Sequence, residues 1–414
     1  MVQAKMRSVT ALALGAFLGL MPTVTAAETK SRTCEGNPGH TLQHFLDELN
    51  PGDTLLVSGT CNENVVIGEG RRNITIDGQG SATINGSGDP SRATVLVRGR
   101  GITIKGFNII GGRWGIDVFR GGTATIDGNA IQSAAVTGII VVNGSFAQIL
   151  NNTVSGNGVN GIAVSENSSA DIGFAGDFAT AASPNTITNN GQHGIWVGDA
   201  SHAEIESNTI TGNTEHGIVI ESSSSARIGV RSGAPGTFAG ANTIQQNGRR
   251  GVVVTRSASA GIVGNDISNN MEDGVGVFRA AHADIANNKI NGNQGNGIYL
   301  TQNSSVNLGN DSGSNPEDQP NQTTTLNTGV GIRCVTGGVA EGRLGSLNGI
   351  SGAKSFGTTL TINVTPSAPP DGSWGPVDDV EDGNPTTPDT TRLTVTGTGQ
   401  VRINSQGCID SLNP

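Results

Sequence analysis

The feature that most constrains this chain is a period of 23 residues. Aligned on a short apolar segment, the sequence reads ATI at 124–126, AQI at 147–149, ADI at 170–172, AEI at 203–205, ARI at 226–228, AGI at 260–262, ADI at 283–285 and VNL at 306–308. The spacings are 23, 23, 33, 23, 34, 23 and 23, one period with two insertions of about ten residues at a single phase, after Ile-Gly. Each period also carries an Asn-x-apolar mark, at Asn129, Asn152, Asn185, Asn208, Asn242, Asn265 and Asn288, and a glycine followed by apolar residues, as in Gly161-Ile-Ala-Val and Gly217-Ile-Val-Ile. A unit of about three very short strands between Gly/Asn turns cannot bury its apolar face alone. Stacked at about 4.8 Å per turn, such units bury one another's Ile and Val and pair every backbone group. The period therefore predicts an all-β solenoid of parallel strands, with about nine or ten turns.

Composition agrees with a thin core. The chain has 63 glycines and only 3% aromatic residues, too few large side chains to fill a broad interior. The aligned asparagines read as a structural ladder of side-chain amides, without chemistry.

The ends differ from the middle. Residues 1–27 carry Lys5 and Arg7 before an apolar run too short to cross a bilayer, the pattern of a secretory signal peptide. Its removal leaves 22 basic against 34 acidic residues, a net charge of −12, which argues against nucleic acid or an anionic membrane as partner. Residues 28–70 are expected to cap the first turn, with Leu42, Phe45, Leu46 and Leu49 at helical spacing after Thr41 forming an amphipathic lid. Residues 71–335 form the solenoid, and 336–414, where the period decays, a C-terminal cap with a Pro/Asp/Thr-rich loop. Four cysteines allow three pairings. Proximity and the capping argument favour Cys34 with Cys61 and Cys334 with Cys408, in a secreted, periplasmic or cell-surface setting.

The combination of N-x-I, N-G-x-x-G-I-x-V and a 23-residue turn resembles the right-handed parallel β-helix family, the pectate-lyase-like superfamily. The entry stretch NPGDTLLVSGTCNENVVI, followed by NITIDGQGSATING, is similar to the first turns of mannuronan epimerases and related carbohydrate-binding helices. The resemblance covers roughly residues 50–335 and implies the fold. It transfers no reaction, since Asp-Pro-His-Asp, Arg-x-Pro-x-x-Arg, Asn-Thr-Asp and Arg-Ile-Lys are all missing, and Trp114-Gly-Ile-Asp117 is only part of a Trp-Ile-Asp-His element.

Reading the repeats vertically locates a candidate site. The residue before the repeated glycine is, turn by turn, Trp114, Thr137, Asn160, His193, His216, Arg250, Asp273 and Asn296, preceded in several turns by a further charge: Glu215, Arg249, Glu272. Two residues after the glycine stand Trp196 and Tyr299, and five after it Arg256 and Arg279. Stacking would gather these into a strip about 15 Å long at ~4.8 Å per turn. The plain reading is a surface turn that tolerates any polar residue. The sharper one is a groove for an acidic polysaccharide: His193 or His216 as a base, Arg250 neutralising a uronate carboxylate, and Arg249, Trp196, Glu215, Glu272, Asp273, Arg256, Arg279 and Tyr299 binding the chain, with the insertions at 173–184 and 229–241 as walls. That reading gives a lyase or C5 epimerase of uronates. The alternative is a non-catalytic surface or matrix protein, an adhesin or glycan-binding scaffold.

Two metal readings carry less. His193 and His216 with Glu215 could ligate zinc or copper, without any tight ligand spacing. The acidic run Asp378-Asp379-Val-Glu381-Asp382 could hold calcium, and no cofactor is otherwise implied. His202 and His282 share another phase with Ser225 and Ser259 between them, and read as solvated turn residues.

Overall fold

The structure, a computed structural model, describes residues 26–356 apart from 36–38, 176–181, 231–239, 310–318, 336, 343–344 and 353. Most of the signal peptide, much of both insertions, the acidic run and nearly all of the C-terminal cap lie outside these residues.

The described chain is a parallel β-solenoid. Between Thr123 and Asn291 each turn contributes two strands to a 20-stranded sheet and one to a 12-stranded sheet, while the turns before and after contribute a single strand to the first. The second turn of the periodic region, for example, runs Phe146–Leu150, Thr153–Ser155 and Ile162–Val164. Registers are straight: Ile149 lies opposite Ile126 on one side and Ile172 on the other, and Ile210 is flanked by Ile187 and Ile244. The turns number about 11, more than the nine or ten expected. The excess comes from the entry turns before residue 124, where the ATI mark is absent although strands such as Val65–Ile67 and Val95–Val97 stack as the later ones do.

Inward positions hold the apolar columns. Ile126, Ile149, Ile172, Ile205, Ile228, Ile262 and Ile285 are fully buried, each contributing roughly 1.5–3 kcal/mol relative to exposure. The corners are held by polar ladders. Asn152 Nδ2 donates to Asn185 Oδ1 (3.0 Å) and to the Ile126 carbonyl (2.8 Å), and the pattern repeats along the first asparagine column. A second ladder, not anticipated, runs Asn157, Asn190, Asn213, Asn247, Asn270, Asn293, Asn327 at the next corner. Serines form a third, Ser145 N–H donating to Ser168 Oγ, Ser168 to Ser201 and Ser201 to Ser224. Buried backbone donors at corners that no strand can reach are thus satisfied by side chains.

The N-terminal cap is not the helical lid expected. The stack ends in a strand, Thr29–Cys34, paired with Thr54–Cys61, and the helix beside it spans only Leu42–Asp47. Leu42, Phe45 and Leu46 are buried on that helix as their spacing requires, and Thr41 Oγ1 accepts the His44 N–H. The unpaired edge is covered mainly by the extra strand because a strand offers backbone partners and a helix does not. The Cys34–Cys61 disulfide ties this strand to the next. Cys334 is disulfide-bonded too; its expected partner, Cys408, lies outside the described residues.

Candidate functional site

The 12-stranded sheet brings the predicted strip onto one face. Its outward residues follow in register Leu96, Asp117, Ile140, Ala163, Trp196, Val219, Val253, Gly276, Tyr299 and Arg333. At its margin lie the residues that precede the repeated glycine. Those glycines answer to packing: a Cβ on Gly194 would lie 2.5 Å from Ile210 Cγ2 and 2.7 Å from the Gly217 carbonyl. The side chain before each glycine is left to serve the neighbouring turn.

That service defines the histidines. His193 and His216 stack with centroids 5.3 Å apart. The backbone N–H of His216 donates to His193 Nδ1 (3.4 Å), and that of Arg250 to His216 Nδ1 (3.1 Å). Asp273 Oδ1 accepts the Asn296 N–H and Asn296 Oδ1 the Val330 N–H in the same way. Since a backbone N–H only donates, the proton of each neutral ring sits on Nε2. Burial lowers both pKa values; His216 is brought to about 3, with His193 and Arg250 adding to the effect. Glu215 Oε2, 3.7 Å from His193 Nδ1, is too far for a hydrogen bond. The pair therefore presents N–H donors, not the lone pairs a metal ion takes.

The arginines are engaged with neighbouring acids. Arg249 Nε donates to Glu272 (3.1 Å), and Arg250 Nε to Asp273 Oδ2 (2.8 Å), while Arg250 Nη1 lies 2.9 Å from Glu272. Arg256 pairs with Glu221, which also accepts from Trp196 Nε1 (2.9 Å). Of the arginines predicted for the strip, Arg279, in a left-handed turn conformation, is the one that makes no ion pair among the described residues. Trp196 lies across Gly198, whose Cβ would fall 2.3 Å from the indole, and Phe278 lies likewise across Gly276. Tyr299 meets Phe278 edge-on at 5.7 Å, and Arg250 and Arg333 sit 4.9 and 5.7 Å from the Phe278 and Tyr299 centroids.

The other end of this face was not selected from the sequence. Asp117 is 7% exposed and its Oδ1 has no hydrogen-bond partner; Arg98 Nε is likewise buried and unpartnered. Arg98 and Arg120 flank Phe119, at 5.7 and 5.1 Å, and Arg113 covers Trp114 at 4.9 Å. The available signal was an acid in an outward column between Leu96 and Ile140.

The opposite sheet corrects one reading. His202 and His282 start strands, and each Nδ1 meets a serine one turn on, Ser225 or Ser305, at 2.8 Å. His282 Nε2 also lies 3.1 Å from Asp284. This Ser-His-Asp contact lies on a strand face whose backbone pairs in the parallel ladder with the next turn.

The family profile described as right handed beta helix region matches residues 93–232 and 171–340, more than half of the chain. The chain belongs to that family, and the solenoid is right-handed. Among solved structures it is similar to the A-module of mannuronan C-5 epimerase AlgE6 from Azotobacter vinelandii, at 15% identity and a TM-score of 0.48, over 76% of this chain and 92% of that one. It is also similar to pectate lyase Pel9A, at 13% identity and a TM-score of 0.42, over 92% and 94%. Similarity at that level assigns no reaction. Among curated proteins, a cell surface glycoprotein of Methanothermus fervidus is 31% identical over 100 residues, 23% of this chain. The match spans 16% of that protein's length.

Proposed function

We propose that this is an extracytoplasmic glycan-binding protein whose 12-stranded face lies along an acidic polysaccharide, without chemistry at the histidine pair. The observation that carries this reading is the placement of Trp196 over Gly198 on that face, with Phe278 and Tyr299 forming an edge-on aromatic pair further along it. A ring laid over a glycine offers a platform to the apolar side of a sugar. His193 and His216 serve as Nε2–H donors to ligand oxygens. Proton abstraction is disfavoured because Nδ1 is engaged by a backbone N–H and Nε2 already carries the proton. The Cys34–Cys61 disulfide supports an oxidising compartment. Among the described residues no helix is long and apolar enough to cross a membrane.

Titration calorimetry with alginate, pectate and hyaluronate, against neutral dextran, tests the reading. We expect binding to at least one acidic polymer, weakened about tenfold by Trp196→Ala, the loss of roughly one stacking contact. No preference for any acidic polymer over dextran sinks the proposal. Release of unsaturated uronate, abolished by His216→Ala, would instead make the face catalytic.

A further inference from the structure

Asp117 Oδ1 and Arg98 Nε, like Asn160 Oδ1 further along this face, are buried polar atoms without a hydrogen-bond partner. Asp117 Oδ1 is an acceptor or, when protonated, a donor; Arg98 Nε is a donor. Both are buried, neither has a partner, and they lie on adjacent turns of the 12-stranded sheet. Native proteins rarely leave such atoms orphaned without a ligand or function to explain them. Two unsatisfied groups side by side narrow the missing partner to something that reaches both.

We propose that Arg98 and Asp117, beside Phe119, form a second binding site on this face that takes the carboxylate of an acidic sugar unit. The inference rests on the reading of the face as a glycan surface and assigns one point of contact on it. The ligand carboxylate accepts from Arg98 Nε–H with one oxygen and from the Asp117 carboxyl O–H with the other, satisfying both orphaned atoms. The sign of the surroundings agrees. Arg98 on the preceding turn and Arg113 and Arg120 on either side of the strand Trp114–Val118 make no ion pair among the described residues. The acid facing Asp117 from a later turn, Glu166, is hydrogen-bonded to Asn143 Nδ2 at 3.0 Å. Burial raises the Asp117 pKa to about 7, with Arg98 opposing and Glu166 assisting. Asp117 is therefore able to carry the proton this contact needs near neutral pH.

The strip from Trp196 to Tyr299 differs, because its arginines are engaged with their own acids. A chain laid along the solenoid would stack on Trp196 and place a carboxylate at Arg98.

Calorimetry with trimers of galacturonate, mannuronate and guluronate, one pH unit below and one above neutrality, decides the matter, with the neutral glucose trimer as control. The wild-type protein is expected to bind a uronate trimer more tightly at the lower pH. Arg98→Gln should weaken that binding about tenfold, the loss of one charge-assisted contact. Asp117→Asn should keep the binding and erase its pH dependence, since an amide N–H replaces the carboxyl O–H. Melting curves establish that each variant is folded. Both substitutions leaving affinity and pH profile unchanged, while Trp196→Ala abolishes binding, would overturn this site and leave the glycan face standing. Equal binding of the glucose trimer would also overturn it, because a hydroxyl would then be what the pair clasps. No uronate binding by the wild type at either pH would remove both readings together.

Discussion

The two ends of the 12-stranded face use the same repeat differently. From Trp196 to Asn296 nearly every charged side chain has found another: Arg250 is held by Asp273 and Glu272, Arg256 by Glu221, and the histidine Nδ1 atoms by backbone N–H groups. Around Asp117, three to four turns earlier at ~4.8 Å each, the acid and its nearest arginine remain unsatisfied. The first end resembles a structural brace that also presents aromatic platforms. The second carries buried polar atoms without a hydrogen-bond partner, which cost stability where they stand.

The largest effect that separates the ends is expected from the arginines. Arg250→Ala would strand Asp273, 4% exposed, without its cation, and should cost about 3–5 kcal/mol in urea unfolding. Arg98→Ala removes no ion pair and should cost under ~1 kcal/mol. Equal losses would erase the distinction between brace and site.

Next in size is a gain. Asp117→Leu replaces an unsatisfied carboxyl between Leu96 and Ile140 with an apolar side chain. It should stabilise the protein by about 1–3 kcal/mol, the penalty of a buried unpaired polar group, while weakening uronate binding. A loss of stability on thermal or urea unfolding would mean that Asp117 has a structural partner after all.

How much of this was written in the sequence follows from which interactions repeat. The 23-residue period, the Ile columns and the first asparagine ladder recur in turn after turn, so alignment alone exposes them. The second ladder repeats as regularly, but its asparagines sit in Asn-Gly and similar turns that read as ordinary loop chemistry. The strip was legible as a column because the straight register preserves phase. What phase could not reveal was occupancy: whether Arg250 is free or held by Asp273 depends on side-chain reach across one turn. Asp117 appears only once, with no repetition to mark it, and its significance lies in burial between apolar neighbours. The one or two extra turns and the strand that ends the stack belong to entry segments where the period has not yet begun.

The opposed pKa shifts sharpen the comparison by slope. His216, held near 3 when folded and ordinary when unfolded, takes up fewer protons in the native state. Its contribution is present above the unfolded value, near 6.5, and is lost as pH falls toward 3. Asp117, raised to about 7, does the reverse: its contribution is present below the unfolded carboxylate value and is lost as pH rises through about 7. Melting temperatures across this range should therefore lose part of their acid-side decline in His216→Asn and part of their decline toward neutrality in Asp117→Asn. Interchanged effects would contradict the protonation states assigned to both ends.

The smallest effect tests whether the histidines are braces at all. At the same phase Asn296 Oδ1 already accepts the next turn's backbone N–H, at 3.2 Å, so His193→Asn places an equivalent acceptor beneath His216. The hydrogen bond survives and the stacking of two rings is lost, a difference of about 0.5–1.5 kcal/mol. His193→Leu removes the acceptor as well and leaves the His216 N–H without this partner, adding a further ~1–3 kcal/mol. If the two variants unfold at the same urea concentration, the N–H to Nδ1 contact does not hold the turn. If His193→Asn is the milder in stability yet loses uronate affinity, the ring serves both the neighbouring turn through Nδ1 and the ligand through Nε2, and the repeated His-Gly-Ile joins scaffold and surface in one residue.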